Sequence, residues 1–221
     1  KIDNWDSVLW SIDIGKTDDP TVITLNVAKT HDQGLNTEWT EYFIAEQFVS
    51  DDDRSPLWSS SVINSHLYKN APLVVPHDGG GAEGYGAVLK RLGVNVLPDV
   101  FHNPIDSSSQ VTGASSGHSR SIEAGLYVMD EYFKNGKLKV AKNCTDWFKE
   151  KDGYYRTGKT GANAFAGADH CIDSSRYGFM SLIGHRGIPA GQAQVKVNDD
   201  WNNGFINDYE NNVASELSQF Y

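Results

Sequence analysis

Cysteine is nearly absent from this chain. Only Cys144 and Cys171 occur among 221 residues, so no disulfide framework is available. With no secretion signal, that usage points to a reducing cytoplasm. No apolar run approaches the length of a bilayer span, and the N-terminus lacks the basic-then-apolar order of a signal peptide, so no membrane partner is expected. The chain starts at Lys1 without a Met, which reads as a segment of something longer, and it contains no internal repeat. Positive charge is scarce too: 19 Lys and Arg stand against 29 Asp and Glu, a net charge of −10. That sum argues against a nucleic-acid partner, but binding follows local fields rather than totals. Residues 134–159 reverse the balance, with eight basic residues and three acidic ones. On charge alone this stretch is equally an ordinary solvated surface.

What the chain does have is core material: 39% apolar residues and six Trp, enough for one large domain or a domain with appendages. Strands are expected over 8–14, 22–28 and 42–49, close enough in sequence for an antiparallel meander. A helix follows over 56–68, then a short apolar strand over 72–78 that Gly79-Gly80-Gly81 ends. The pattern continues with a helix over 82–92, a strand over 94–97 and a Ser-, Gly- and Pro-rich mobile loop over 103–117. Ile122, Leu126, Met129 and Phe133 give 119–133 the spacing of an amphipathic helix. A short helix over 144–151, a hairpin or loop over 153–161 and a strong helix over 168–183 complete the order. This is an α/β chain with a mixed sheet, three antiparallel strands followed by parallel ones, flanked by helices on both faces.

Carboxylates mark the ends of these elements. Asp13 closes the run Val8-Leu9-Trp10-Ser11-Ile12, and Asp78 closes Leu73-Val74-Val75-Pro76-His77. The carboxyl edge of an open α/β sheet is where such folds keep their chemistry. Asp169 and Asp173 stand one turn apart on one helix face, with His170 three residues before Asp173. Each has a bland reading: Asp13 as a turn former, Asp78 as part of a glycine turn, Asp169 as a helix cap and Glu123 as a solvated helix acid. Asp173 lies too deep in its helix to be a cap. Together, converging carboxylates repel unless they share protons or bind a hard cation. Two strand-end carboxylates and a helical one suit two Mg²⁺ or Mn²⁺ ions about 3.5–4 Å apart, the arrangement of phosphoryl-transfer enzymes.

Strand-end Asp, strand-end Asp-Gly-Gly and helical Asp169-His170-Cys171-Ile172-Asp173-Ser174-Ser175-Arg176-Tyr177 resemble, in that order, the nuclease domain of the large terminase subunit of tailed bacteriophages. The resemblance covers roughly residues 8–181. It implies a ribonuclease H-like domain over 1–187 with a polar, acidic tail over 188–221. It further implies a metal-dependent endonuclease that cuts concatemeric double-stranded viral DNA during packaging, in the cytoplasm of an infected bacterium. Asp13, Asp78 and Asp173 match the metal ligands and catalytic residues, while Asp169 and His170 match positions that join or support the metals. Lys149, Lys151, Arg156 and Lys159 fall where relatives place a loop or hairpin beside the cleft, and so are the expected DNA-binding residues. An ATPase domain of the same full-length chain is the implied partner; no Walker A motif occurs here, which fits a detached nuclease domain. The portal protein and the small terminase subunit are further candidate partners. Ser174-Ser175 depart from the more usual Ala-Leu. With no helix-turn-helix or zinc finger, DNA contacts are expected to be mainly to phosphates.

Two rival readings remain. Ile12-Asp13-Ile14-Gly15-Lys16-Thr17 resembles the first phosphate loop of actin-like ATPases and sugar kinases, although those need two lobes closing on a nucleotide. The other is a non-cleaving module that docks DNA or a partner and whose acidic cluster is residual, with the acidic residues 199–216 read as a portal contact or, more simply, as a disordered end.

Overall fold

The computed structural model describes residues 5–32, 38–76, 81–102, 122–158 and 165–194, leaving out the side chains of 81–83. Asp78, Lys159, most of the 103–117 loop segment's neighbourhood (103–121) and the acidic tail from 195 onward lie outside the described residues.

Three antiparallel strands form the centre: β1 (Ser7–Asp13), β2 (Thr21–Asp32) and β3 (Glu38–Ser50). Helix α1 (Pro56–Asn64) follows, then β4 (Leu73–Val74) and α2 (Gly81–Arg91). Next come α3 (Ile122–Lys134), β5 (Leu138–Val140) and α4 (Thr145–Gly153). The short strands β6 (Tyr155–Arg156) and β7 (Phe165–Ala166) pair with each other ahead of α5 (His170–Ile183) and α6 (Ala190–Ala193). The main sheet runs β4-β1-β2-β3-β5, with β4 parallel to β1 and β5 parallel to β3. The mixed sheet expected from the sequence is therefore present.

Period-two alternation sorts the strands between two cores. Val8, Trp10 and Ile12 of β1, with Ile23, Leu25 and Val27 of β2, face the cluster that includes Ile63 of α1, Leu89 of α2 and Ala190 and Ala193 of α6. Leu9, Ser11 and Asp13 alternate to the opposite face, where α5 lies. Both faces of β1 are covered, which is why its run reads as continuously apolar.

The contact between α5 and the sheet is polar at its centre. Ser11 Oγ donates to the Ser174 carbonyl (2.6 Å), and Thr24 Oγ1 donates to Ser174 Oγ (2.8 Å). Gln47 Nε2 donates to the Cys171 carbonyl at 2.9 Å and to Ser175 Oγ at 3.0 Å. Ser174 and Ser175 are thus the helix's half of a buried hydrogen-bonded layer, which accounts for serines where an apolar pair is more usual. Gly178 allows the close approach, since a Cβ there would stand 1.9 Å from Asn26 Nδ2. Directional bonds of this kind hold α5 in one register on the sheet, as apolar packing alone would not.

Several boundaries differ from expectation. Helix α1 begins with Pro56 behind a Ser55 cap, but stops at Asn64 instead of continuing to 68. The chain then turns so that the indole Nε1 of Trp10 donates to the Tyr68 carbonyl at 3.0 Å. Within the described part of the strand expected over 72–78, Leu73–Val74 forms the strand and Pro76 adds a single bridge to Phe101; Pro72 and Pro76 have no N–H to donate. The strand expected over 94–97 is a single bridge, Val96 to Leu73, followed by Pro98. Strand β5 was not expected. Residues 188–193, assigned to the tail by sequence, pack on the body through a bridge from Ile188 to Val8 and through buried Ala190 and Ala193.

Candidate functional site

Two of the carboxylates singled out by sequence meet. Asp13 ends β1 on the face covered by α5, and Asp173 lies in the first turn of α5. The phenol oxygen of Tyr177, one turn on, stands 3.2 Å from Asp173 Oδ2 and 3.5 Å from Asp13 Oδ1. The outer oxygens are held separately. Asp13 Oδ2 is 3.0 Å from His170 Nδ1, and Asp173 Oδ1 is 2.8 Å from an Arg176 terminal nitrogen. Asp19, from the turn joining β1 to β2, stands 3.5 Å from the other His170 nitrogen, Nε2.

Arg176 is fully buried, unusual for a group that cannot shed its charge. Its guanidinium carbon lies 4.9 Å from the Tyr177 ring centroid and 5.8 Å from that of Phe101. Its methylenes occupy a slot that exists because residue 125 of α3 is glycine: a Cβ there would be 2.9 Å from Arg176 Cδ.

Burial pushes the Asp13 carboxyl up, opposed by the His170 hydrogen bond, with the charge of Asp173 adding to the rise. That hydrogen bond in turn lifts His170 to about 9. With both ring nitrogens on carboxylates, His170 is an imidazolium donor, so it supports Asp13 rather than offering a lone pair to a cation. Tyr177 is pushed up by burial and by the charges of Asp173 and Asp13, so it stays a donor at any ordinary pH.

Asp169 occupies the cap position of α5, but its side chain makes no capping hydrogen bond. Glu150 of α4 performs that task, accepting from the Cys171 N–H (2.8 Å) and the Ile172 N–H (3.2 Å). Burial first, then the Asp173 charge, raises Asp169 to about 6. A carboxyl raised in the folded state holds its proton more tightly there, so stability falls as pH rises from about 4 through about 6. In EDTA, Asp169→Asn is therefore expected to raise the unfolding free energy measured in urea at pH 7.5 by about 1 kcal/mol after screening at this partly exposed position. The gain should vanish below pH 4; a gain independent of pH would mean that the charge is not its source.

Three of the four basic residues singled out by sequence lie among the described residues. Lys149 and Lys151 lie on α4 and pair locally with Asp146 (2.7 Å) and Asp152 (3.4 Å). Arg156 of β6 pairs with Glu123 of α3 and lies over the Phe165 ring of β7 at 5.6 Å. Tyr154 stacks on Phe165 (5.2 Å, 11°), and its phenol is pushed up by burial and then by the Asp169 and Asp173 charges, which places the hairpin base beside the acids. Surface pairs of this sort are worth only about 0–1 kcal/mol.

Among the described residues, no group of three or more His, Cys, Asp and Glu side chains is arranged to hold a metal ion. The donors that do meet, Asp13 Oδ1 and Asp173 Oδ2, are hard oxygens of the type Mg²⁺ and Mn²⁺ prefer, so the set fits such an ion in kind. Two positive groups, Arg176 and His170, already balance these two carboxylates, so a divalent cation needs a further acid. Sequence reasoning gave no role to Arg176, Tyr177 or Glu150. Helical spacing from Asp173 could have found the first two. Nothing local points to Glu150, which reaches α5 from another helix.

The sheet order, with α5 laid against the end of β1, defines a ribonuclease H-like fold. Two solved structures share it. The nuclease domain of the P22 large terminase matches 88% of this chain and 90% of its own length, with a TM-score of 0.65 and 19% identity. The large terminase of the thermophilic bacteriophage D6E matches 81% of this chain but 40% of its own, with a TM-score of 0.53 and 15% identity. At these identities the likeness is one of fold. No protein-family model matches the sequence, nor does any curated protein. Among the described residues, no helix is long and apolar enough to cross a membrane.

Proposed function

We propose that this chain is the nuclease domain of a phage large terminase, a metal-dependent endonuclease that cuts concatemeric double-stranded viral DNA in the infected cell. The observation that carries this reading is the meeting of Asp13 and Asp173 at one phenol oxygen, within the fold of the P22 terminase nuclease domain. Asp13 and Asp173, joined by Asp78 from the segment after Pro76, are the proposed ligands of two Mg²⁺ or Mn²⁺ ions. Asp169 is the nearby acid that would add negative charge to the set, and His170 orients Asp13. Such ions, when bound, supply a hydroxide nucleophile and stabilise the leaving 3′ oxygen. No side chain then needs to act as nucleophile. Lys149, Lys151, Arg156 and Lys159 are proposed to take DNA phosphates along the hairpin side of the site, exchanging their local acidic partners. The ATPase domain of a full-length chain is the proposed physical partner, with the portal protein and small terminase subunit as further ones.

Incubating supercoiled plasmid with the protein and Mn²⁺ tests the reading. Nicked and linear products that disappear in EDTA are expected. DNA binding without cleavage under Mg²⁺ or Mn²⁺ would favour a docking module instead, and tight ATP binding would favour a nucleotide-binding lobe.

A further inference from the structure

The four oxygens of Asp13 and Asp173 are not equivalent. One oxygen of each is held from outside by a cation: Asp13 Oδ2 by His170 at 3.0 Å, and Asp173 Oδ1 by Arg176 at 2.8 Å. The remaining two, Asp13 Oδ1 and Asp173 Oδ2, both turn toward Tyr177 Oη. A phenol has one proton, so it donates to one carboxylate at a time. The shorter distance, 3.2 Å, assigns it to Asp173. Its ring is fixed independently, packed on Phe101 at 4.7 Å between centroids and against the Arg176 guanidinium. The hydroxyl is therefore set in place by groups other than the carboxylates it serves.

Resting on the nuclease reading, we propose that Tyr177 is a positioning residue: its hydroxyl, donating to Asp173 Oδ2, holds that inner oxygen on the side of Asp13 Oδ1, so that a divalent cation can take each as one ligand. Without that donor the inner oxygen of Asp173 loses the bond that holds it on the side of Asp13, whose charge then acts on it unopposed. Like charges so placed rotate apart, and a cation must then draw them back together. The outer clamps leave each side chain little freedom except rotation about its held oxygen. That rotation is the motion the phenol restrains.

Tyr177→Phe keeps the ring, its contact with Phe101 and its place beside Arg176, and removes only the hydroxyl. The experiment compares this variant with the wild-type protein by Mn²⁺ titration, followed through the electron paramagnetic resonance of free Mn²⁺. Plasmid cleavage across a Mn²⁺ series and thermal unfolding in EDTA are measured alongside. The expected result is Mn²⁺ binding weakened about tenfold, cleavage at saturating Mn²⁺ within about threefold of wild type, and a Tm in EDTA close to the wild-type value. A residue acting only through stability would lower the Tm and leave the affinity of the folded protein unchanged. Wild-type binding and cleavage with equal or tighter Mn²⁺ binding in the variant overturns this inference alone. A wild-type protein that neither binds Mn²⁺ nor cleaves overturns the nuclease reading and this inference with it.

Discussion

Asp13→Asn is expected to reduce Mn²⁺-dependent plasmid cleavage on the order of a thousandfold, equivalent to about 4 kcal/mol of lost transition-state stabilisation. The loss should come without unfolding. Burial already raises the Asp13 carboxyl, so its charge is held at a cost that the His170 hydrogen bond offsets in part. Asn keeps nearly the same shape but removes the acid that lifts His170, so the Tm in EDTA at pH 7.5 should fall while the protein stays folded. His170, freed from one acid, still has Asp19 at its other nitrogen. A loss of cleavage far larger than the loss of stability is the mark of a residue kept for chemistry. Asp173→Asn should cause a similar loss of cleavage. Persistent Mn²⁺-dependent cleavage in purified Asp13→Asn protein would remove Asp13 from the reacting centre.

Arg176→Met is expected to have the largest effect on stability, about 3–5 kcal/mol, because it leaves Asp173 charged beside the core with its nearest counter-charge gone. Methionine fills much of the volume of the arginine stem, so the slot opposite Gly125 is not simply emptied. Adding Asp173→Asn to Arg176→Met should recover most of the deficit, since the remaining group no longer carries a charge to be compensated. Urea unfolding at pH 7.5 in EDTA measures both variants. A double variant as unstable as the single one would show that Arg176 matters for packing over Tyr177 and Phe101, and not as the counter-charge of Asp173.

The strongest local patterns carried over to the folded chain. The meander of β1, β2 and β3 was legible because each run alternates or buries both faces, and α5 was legible from its apolar spacing. Short elements were not. Strand β5 has three residues with a single well-buried one, Leu138, too little for a period to register. Helix α1 looked longer than it is because nothing in residues 65–68 shows that the indole of distant Trp10 will claim the Tyr68 carbonyl. The basic stretch was legible as charge, whereas its pairing with Asp146, Asp152 and Glu123 was not.

By itself the sequence determined directions. Period two puts Asp13 on the same side of β1 as Leu9 and Ser11, and helical spacing puts Asp169 one turn before Asp173 and Arg176 and Tyr177 one turn after it. Tertiary structure alone decided which face of α5 meets that side of the sheet, through the layer of Ser11, Thr24, Gln47, Ser174 and Ser175 and the close approach at Gly178. It alone set His170 between Asp13 and Asp19 and brought Glu150 to the start of α5. The reason is that spacing along a chain orients a side chain only within its own element. Distances between elements come from packing and buried hydrogen bonds between residues far apart in sequence.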